Sequence, residues 1–214
     1  MTCVHCCGAE NLFDQKQANK DLKKYRKKGP NKTTKKLLAA LFKEEINNLS
    51  HLDIGGGIGA IQHELLKKGI SKTTDIDAST AYIEKAKELM QQNGTTQQME
   101  FIFGDFIDFH QHIDKHDIVT LERVVCCYPH VTDLINNSTS KANKYYALVY
   151  PMDGFLSKSV NKLAHLYLKL KKNPFRTYVH SEKMMHELIC KNGFENIYYG
   201  NVFPWKIAVY KRVN

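Results

Sequence analysis

Four carboxylates stand where glycines or the end of an expected strand would present them to a ligand: Asp53, Asp77, Asp105 and Glu122. The first opens the densest motif of the chain, Leu52-Asp53-Ile54-Gly55-Gly56-Gly57-Ile58-Gly59. Glycines in such a run let the backbone turn at positive φ and approach a ligand without a Cβ in the way. A helix opening just after them points its free N–H groups at the same place. Gly55-x-Gly57-x-x-Ala60 satisfies the dinucleotide fingerprint. Asp53 and Gly59 argue against it. A carboxylate just before the turn repels a pyrophosphate but suits a cationic amino group. Asp77 ends the second expected strand, where an acid can accept both hydroxyls of a ribose, and Ala78 follows it. Gly104-Asp105-Phe106 adds an acceptor for an adenine amino group and a ring to cover it. Together they describe a site for a nucleoside joined to an amino acid.

Such residues need a frame, and the chain supplies one. Strands are expected at Leu49–Ile54, Lys72–Asp77, Met99–Phe103, Asp117–Leu121 and Tyr145–Tyr150. Helices are expected between them, at Ile58–Lys68, Ser79–Asn93 and Val131–Ala142. Ala81, Ile83, Ala86, Leu89 and Met90 form the apolar stripe of the second of these helices. Alternation of this kind implies a mainly parallel sheet covered on both faces, with ligands at the carboxyl ends of the strands. A helix over residues 155–172 is expected to bury Leu156, Val160, Leu163, Leu166, Tyr167 and Leu170. Ser181 starts another helix, closed by Gly193, and two antiparallel strands follow near Asn196–Asn201 and Lys206–Lys211. Before the frame, residues 15–28 read as a helix ended by Gly29-Pro30, and Thr33 or Thr34 caps a second helix running to about Asn47.

Charge and cysteines bound the function classes. The chain of 214 residues carries a net charge of +9. Residues 16–36 account for the excess, with Asp21 as their sole acid. Such a block can meet phosphate, carboxylate or an anionic membrane surface, but is most simply a solvated helix face. Tyr25 is the one aromatic inside it, so single-strand nucleic-acid binding is poorly supported. No apolar run is long enough to cross a bilayer, and Met-Thr-Cys-Val-His-Cys-Cys is not a signal peptide. A cytoplasmic protein with six reduced cysteines is expected. Cys3-x-x-Cys6-Cys7, with His5 inside it, lacks the second cluster that a zinc site needs, so no metal is expected.

Over roughly residues 45–212 the sequence resembles the class I S-adenosylmethionine-dependent methyltransferases, through Asp53-x-Gly55-x-Gly57-x-Gly59 and the acids that follow. Within them it is similar to bacterial magnesium-protoporphyrin O-methyltransferase-like proteins. Tyr25-Arg26-Lys27-Lys28-Gly29-Pro30, the run from Gly59 to Leu66, the run from Arg123 to Pro129, and Pro174-Phe175-Arg176-Thr177 carry that closer match. The resemblance implies an α/β Rossmann-like methyltransferase fold: a seven-stranded, mostly parallel sheet with an antiparallel last strand, helices on both faces, and an N-terminal helical extension. It implies S-adenosylmethionine held by Asp53, Gly55, Gly57, Gly59, Asp77, Ala78, Asp105, Phe106 and Glu122.

Residues 1–44 are expected to form a Cys-containing tail and basic lid, residues 45–214 the catalytic domain, and residues 152–180 an acceptor-side cover. Glu122 and Arg123, at the end of the fourth strand, are the catalytic candidates. Tyr25, Arg26, Tyr128, Arg176 and Tyr178 are the acceptor-binding candidates. The expected activity is methyl transfer to a small anionic acceptor, by O-methylation. In the porphyrin-methylating members the segment after strand four reads Ile-His-Tyr-Pro, with a catalytic histidine. Cys127 stands there in this chain, which weighs against a porphyrin carboxylate as acceptor. Alternatives are an RNA or protein methyltransferase that uses the basic segment, and a non-catalytic cofactor-binding protein. The sequence does not indicate an oligomeric state.

Overall fold

The computed structural model describes residues 9–170 and 173–213, without the side chains at 156, 158, 160–162, 164 and 167. Cys3, His5, Cys6 and Cys7 lie outside the described residues. After a helical turn over residues 9–12, two helices precede the sheet: α1 (Gln15–Lys28) and α2 (Lys32–Leu41). The rest alternates as β1 (Ser50–Ile54), α3 (Ala60–Leu66), β2 (Lys72–Asp77), α4 (Thr80–Gln92), β3 (Met99–Phe103), α5 (Phe106–Phe109) and β4 (His116–Glu122). Then come α6 (Val131–Ser140), β5 (Ala142–Pro151), α7 (Phe155–Leu170), α8 (Glu182–Lys191), β6 (Phe194–Val202) and β7 (Trp205–Arg212).

The strands form one sheet in the order β3-β2-β1-β4-β5-β7-β6, parallel except for β7, which is antiparallel to both of its neighbours. Strand order reverses between β1 and β4, so a crevice opens at their carboxyl ends. Both sheet faces are dry, as parallel strands require. On one face Leu52, Ile54, Val119, Leu121, Tyr146 and Leu148 pack beneath α6 and α8. On the other, Ile118, Tyr145, Ala147, Val149, Ile207 and Val209 pack against Leu37, Leu38 and Leu41 of α2 and Ile61 and Leu65 of α3. Period-2 alternation puts His51, Asp53 and Thr120 on this second face, beneath the glycine turn.

Local sequence explains most boundaries. Ser79 caps α4, accepting from the Tyr82 N–H, and all five residues of the expected stripe are buried. The cap of α2 differs from expectation: Asn31 accepts from the N–H groups of Thr33 and Thr34. An amide oxygen serves there as well as a hydroxyl; the Thr33 hydroxyl also reaches Asn31 Oδ1, and the Thr34 hydroxyl is left for another partner. This helix also stops at Leu41 rather than Asn47, although Ile46 still reaches the core. The largest departure is α7. Leu163, Leu166 and Leu170 face solvent, and Leu168 is buried in their stead. Among the described residues no helix is long and apolar enough to cross a membrane.

Candidate functional site

A cavity of about 560 Å³ occupies the crevice. Its floor is the run from Asp53 to Ile58, its sides include Asp77, Ala78, Ser79, Asp105, Phe106 and Tyr128, and Phe13, Tyr25, Asn31 and Thr34 close over it. The N-terminal helices therefore wall the site. Leu22 of α1 is buried against Ile58 and Leu89. Tyr25 donates to Glu64 Oε1 at 2.7 Å and Tyr82 donates to Asp21 Oδ2 at 2.7 Å, tying α1 to α3 and α4.

The turn itself is set from below. Gly55 has φ 70°, and a Cβ there would lie 2.5 Å from Val124 Cγ2. Gly57 N–H donates to Asp77 Oδ2 at 2.9 Å, and Ser79 N–H donates to Asp77 Oδ1 at 2.8 Å. Each Asp77 oxygen keeps a further lone pair for a ligand. Burial raises the Asp77 pKa to about 6, against the pull of those two backbone donors. Asp75, opposite Asp53 on β2, accepts from Gly56 N–H at 3.1 Å. Burial first, then Asp77 and Asp53, push its pKa well up.

Asp53 ends a buried chain of hydrogen bonds. Thr120 Oγ1 donates to Asp53 Oδ1 at 2.6 Å, and His51 joins Thr120 through Nε2 and Thr73 through Nδ1, each at 2.8 Å. Thr120 has one proton and gives it to Asp53, so His51 donates from Nε2 and accepts at Nδ1. The imidazole is accordingly neutral, with a pKa lowered to about 3 by burial and by His116. The other Asp53 oxygen, Oδ2, is buried and has no protein partner. Burial lifts the Asp53 pKa to about 8; Thr120 opposes the rise, and Glu122 and Asp77 add to it. An orphaned carboxylate oxygen in a cavity wall is a seat for a cation.

Asp105 caps α5, accepting from Ile107 N–H at 2.9 Å and from the Tyr128 hydroxyl at 2.6 Å. Phe106 is fully buried beside it. Cys127 lines the cavity as a protonated thiol, since the hydrogen bond with Cys126 and burial both raise its pKa.

Glu122 and Arg123 line the cavity but face the N-terminal helices. Glu122 Oε1 and Oε2 accept from the Thr33 and Thr34 hydroxyls, each at 2.6 Å. Arg123, at φ 64°, lies 4.8 Å over the Trp205 ring and donates to Thr33 Oγ1 at 3.0 Å. This pair latches α2 to the end of β4. Nothing in the sequence pairs Thr33 and Thr34 with Glu122, since the contact spans 89 residues. Glu122→Ala is expected to strand the Thr34 hydroxyl, since Thr33 keeps Asn31 and Arg123 as partners, at a cost of about 1–3 kcal/mol. Limited proteolysis should then cut faster around Gly29–Asn31, while an unchanged cutting rate would show that no latch exists.

Three acceptor candidates lie elsewhere. Arg26 pairs with Glu88 at 2.6 Å on the outer side of α4. Arg176 donates to the carbonyls of Asn173 and Phe175, and Tyr178 stacks on His180 with centroids 6.0 Å apart. None of the three lines the cavity. Phe175 does, with its ring 5.7 Å from that of Phe13. Among the described residues no group of three or more His, Cys, Asp or Glu gathers for a metal ion.

A family model described as a methyltransferase domain matches residues 46–201. Among solved structures the chain is similar to magnesium protoporphyrin IX methyltransferase from Synechocystis PCC 6803 with SAH bound, at 21% identity and a TM-score of 0.70, covering 85% of this chain and 82% of that one. It is also similar to an O-methyltransferase family protein from Burkholderia thailandensis, at 11% identity and a TM-score of 0.72, covering 96% of this chain and 63% of that one. A third likeness is to an O-methyltransferase family 2 protein from Planctomyces limnophilus in complex with apigenin, at 16% identity and a TM-score of 0.61, covering 79% of this chain and 51% of that one. These identities speak for the fold. No curated protein matches the chain.

Proposed function

Because the chain belongs to the methyltransferase-domain family, we propose that it binds S-adenosylmethionine in the crevice between β1 and β4 and methylates a small molecule, at oxygen. One observation carries the reading: Asp53, in the cavity wall, keeps a buried oxygen, Oδ2, with no protein partner. The cofactor's ammonium fits that seat. Asp77, ending β2, has lone pairs left for the ribose hydroxyls. Asp105 and Tyr128 form the polar edge for the adenine, with Phe106 behind them.

When bound, the cofactor supplies an electrophilic methyl on a cationic sulfur with a good leaving group. The chain's work is then positioning, which supplies much of the rate of such a displacement. The glycine turn would let the cofactor lie close against the backbone. Lid closure by α1 and α2, held by Glu122 and Arg123, excludes water and narrows the space left for an acceptor. That enclosure favours a small molecule over a macromolecule. An anionic oxygen such as a carboxylate needs no base, and the protonated Cys127 does not offer one.

Calorimetric titration with S-adenosylmethionine and S-adenosylhomocysteine is the test, with NADH as control. Micromolar binding of the sulfur compounds supports the reading, and preference for NADH sinks it. A proton count sharpens the experiment. In the free protein the Asp53 pKa stands near 8 against an ordinary 3.8. The stability tied to its proton is therefore full below about pH 4 and is lost as pH rises through about 8. A cation beside Oδ2 pulls that pKa down, so binding near pH 7 should release a proton from Asp53 and tighten as pH rises toward 8. The apparent enthalpy should then differ between buffers of different ionisation heat, and Asp53→Asn should abolish the difference. Buffer-independent heats in the unaltered protein would show that Asp53 does not meet the ammonium.

A further inference from the structure

Helix α7 turns apolar side chains to water. Phe155, Leu163, Leu166 and Leu170 are 83%, 67%, 54% and 75% exposed. At 3.6 residues per turn these four fall within an arc of about 80°. The opposite side of the helix buries Ser157 and Leu168, and Leu168 clusters with Ala9 and Phe175. An amphipathic helix on a globular protein ordinarily faces the other way.

The charge beside this arc has one sign. Residues 155–170 contain Lys158, Lys162 and Lys169 and no acid. On the helix these three positions share a row that borders the apolar arc. The segment packed under α7, residues 9–13, leads into α1, whose Lys16, Lys20, Lys23, Lys24, Lys27 and Lys28 are exposed. Among the described residues only Arg26 of α1 forms an ion pair.

We propose that α7 docks the protein onto an anionic phospholipid bilayer, lying in the headgroup plane with its apolar row inserted and its lysines on the lipid phosphates. A bilayer answers both halves of the pattern, since an apolar face with a lysine border is how a helix rests at an interface. A second copy of the chain would set lysine row near lysine row. A nucleic acid would meet the lysines but leave three leucines wet, with Phe155 the one aromatic in that arc among the described side chains. The proposal does not depend on the methyl-transfer reading.

The test is flotation of the full chain with vesicles of phosphatidylglycerol in phosphatidylcholine, against vesicles of phosphatidylcholine alone, at low and high ionic strength. The expected result is binding to the anionic vesicles that is about tenfold stronger than to the neutral ones and weakens with salt. Leu163→Ser with Leu166→Ser should weaken it by about tenfold with little change in melting temperature, because both side chains are mostly exposed. Phe155→Ser, on the same row, should act in the same direction. Folded protein that fails to float with anionic vesicles overturns the proposal. So does full binding by the double leucine variant, which would assign the attraction to the lysines of α1 alone. A dimer in sedimentation that the leucine variant loses would give the face to a second copy, and RNA binding lost in that variant would give it to nucleic acid.

Discussion

Asp77→Ala should weaken binding of S-adenosylhomocysteine by roughly 10²–10⁴-fold. Hydrogen bonds to a charged group contribute about 1.5–3 kcal/mol each, and two ribose hydroxyls are at stake. Their sum, about 3–6 kcal/mol, corresponds to that range at about 1.4 kcal/mol per tenfold. The carboxylate also accepts from Gly57 and Ser79, so its removal loosens the turn and the start of α4 as well. Asp77→Asn keeps one acceptor oxygen and should fall between the two. Calorimetry at matched pH distinguishes them. Binding by the alanine variant within a few-fold of the unaltered protein would mean that the end of β2 does not touch the cofactor.

Gly55→Ala should damage the fold itself. The residue sits at φ 70°, where an L side chain costs about 1–2 kcal/mol. Its new Cβ would also meet Val124 Cγ2 at 2.5 Å, inside contact distance. Together these give about 2–4 kcal/mol, which for a chain of this size lowers the melting temperature by roughly 4–16 °C. Val124→Ala in the same chain removes the clash but leaves the strained φ. The double variant should therefore be more stable than the sum of its single effects, by about 1 kcal/mol. Simple additivity would show that the backbone has moved the turn away from Val124.

Much of this site was legible because its signals are local. A glycine turn, an acid at a strand end and a serine before a helix each announce themselves within a few residues, and the crevice brings Asp53, Asp77, Asp105 and Tyr128 to one cavity. Periodicity told less about α7. It identifies an amphipathic helix but not which face finds a partner, and here the partner is Leu168 with Phe175. Two charged candidates, Arg26 and Arg176, lie off the cavity wall. Arg26 reaches Glu88, a partner 62 residues away that only packing could reveal, and Arg176 folds back onto the carbonyls of its own neighbours Asn173 and Phe175. The latch of Thr33 and Thr34 on Glu122 escaped notice because a threonine near a helix start already has an adequate local explanation as its cap.

That latch also sets an order of assembly. Thr33 leaves the ribosome long before Glu122, which lies 89 residues further along. Until β4 is made and seated, α2 lacks this fastening, although α1 can already hold to α3 and α4. A ligand that holds floor and roof together then stabilises the last-joined part of the chain, in proportion to its concentration above its dissociation constant. Nascent protein made where the cofactor is abundant would close sooner and offer proteases a shorter interval at Gly29-Pro30, so cofactor supply would set how much finished enzyme accumulates.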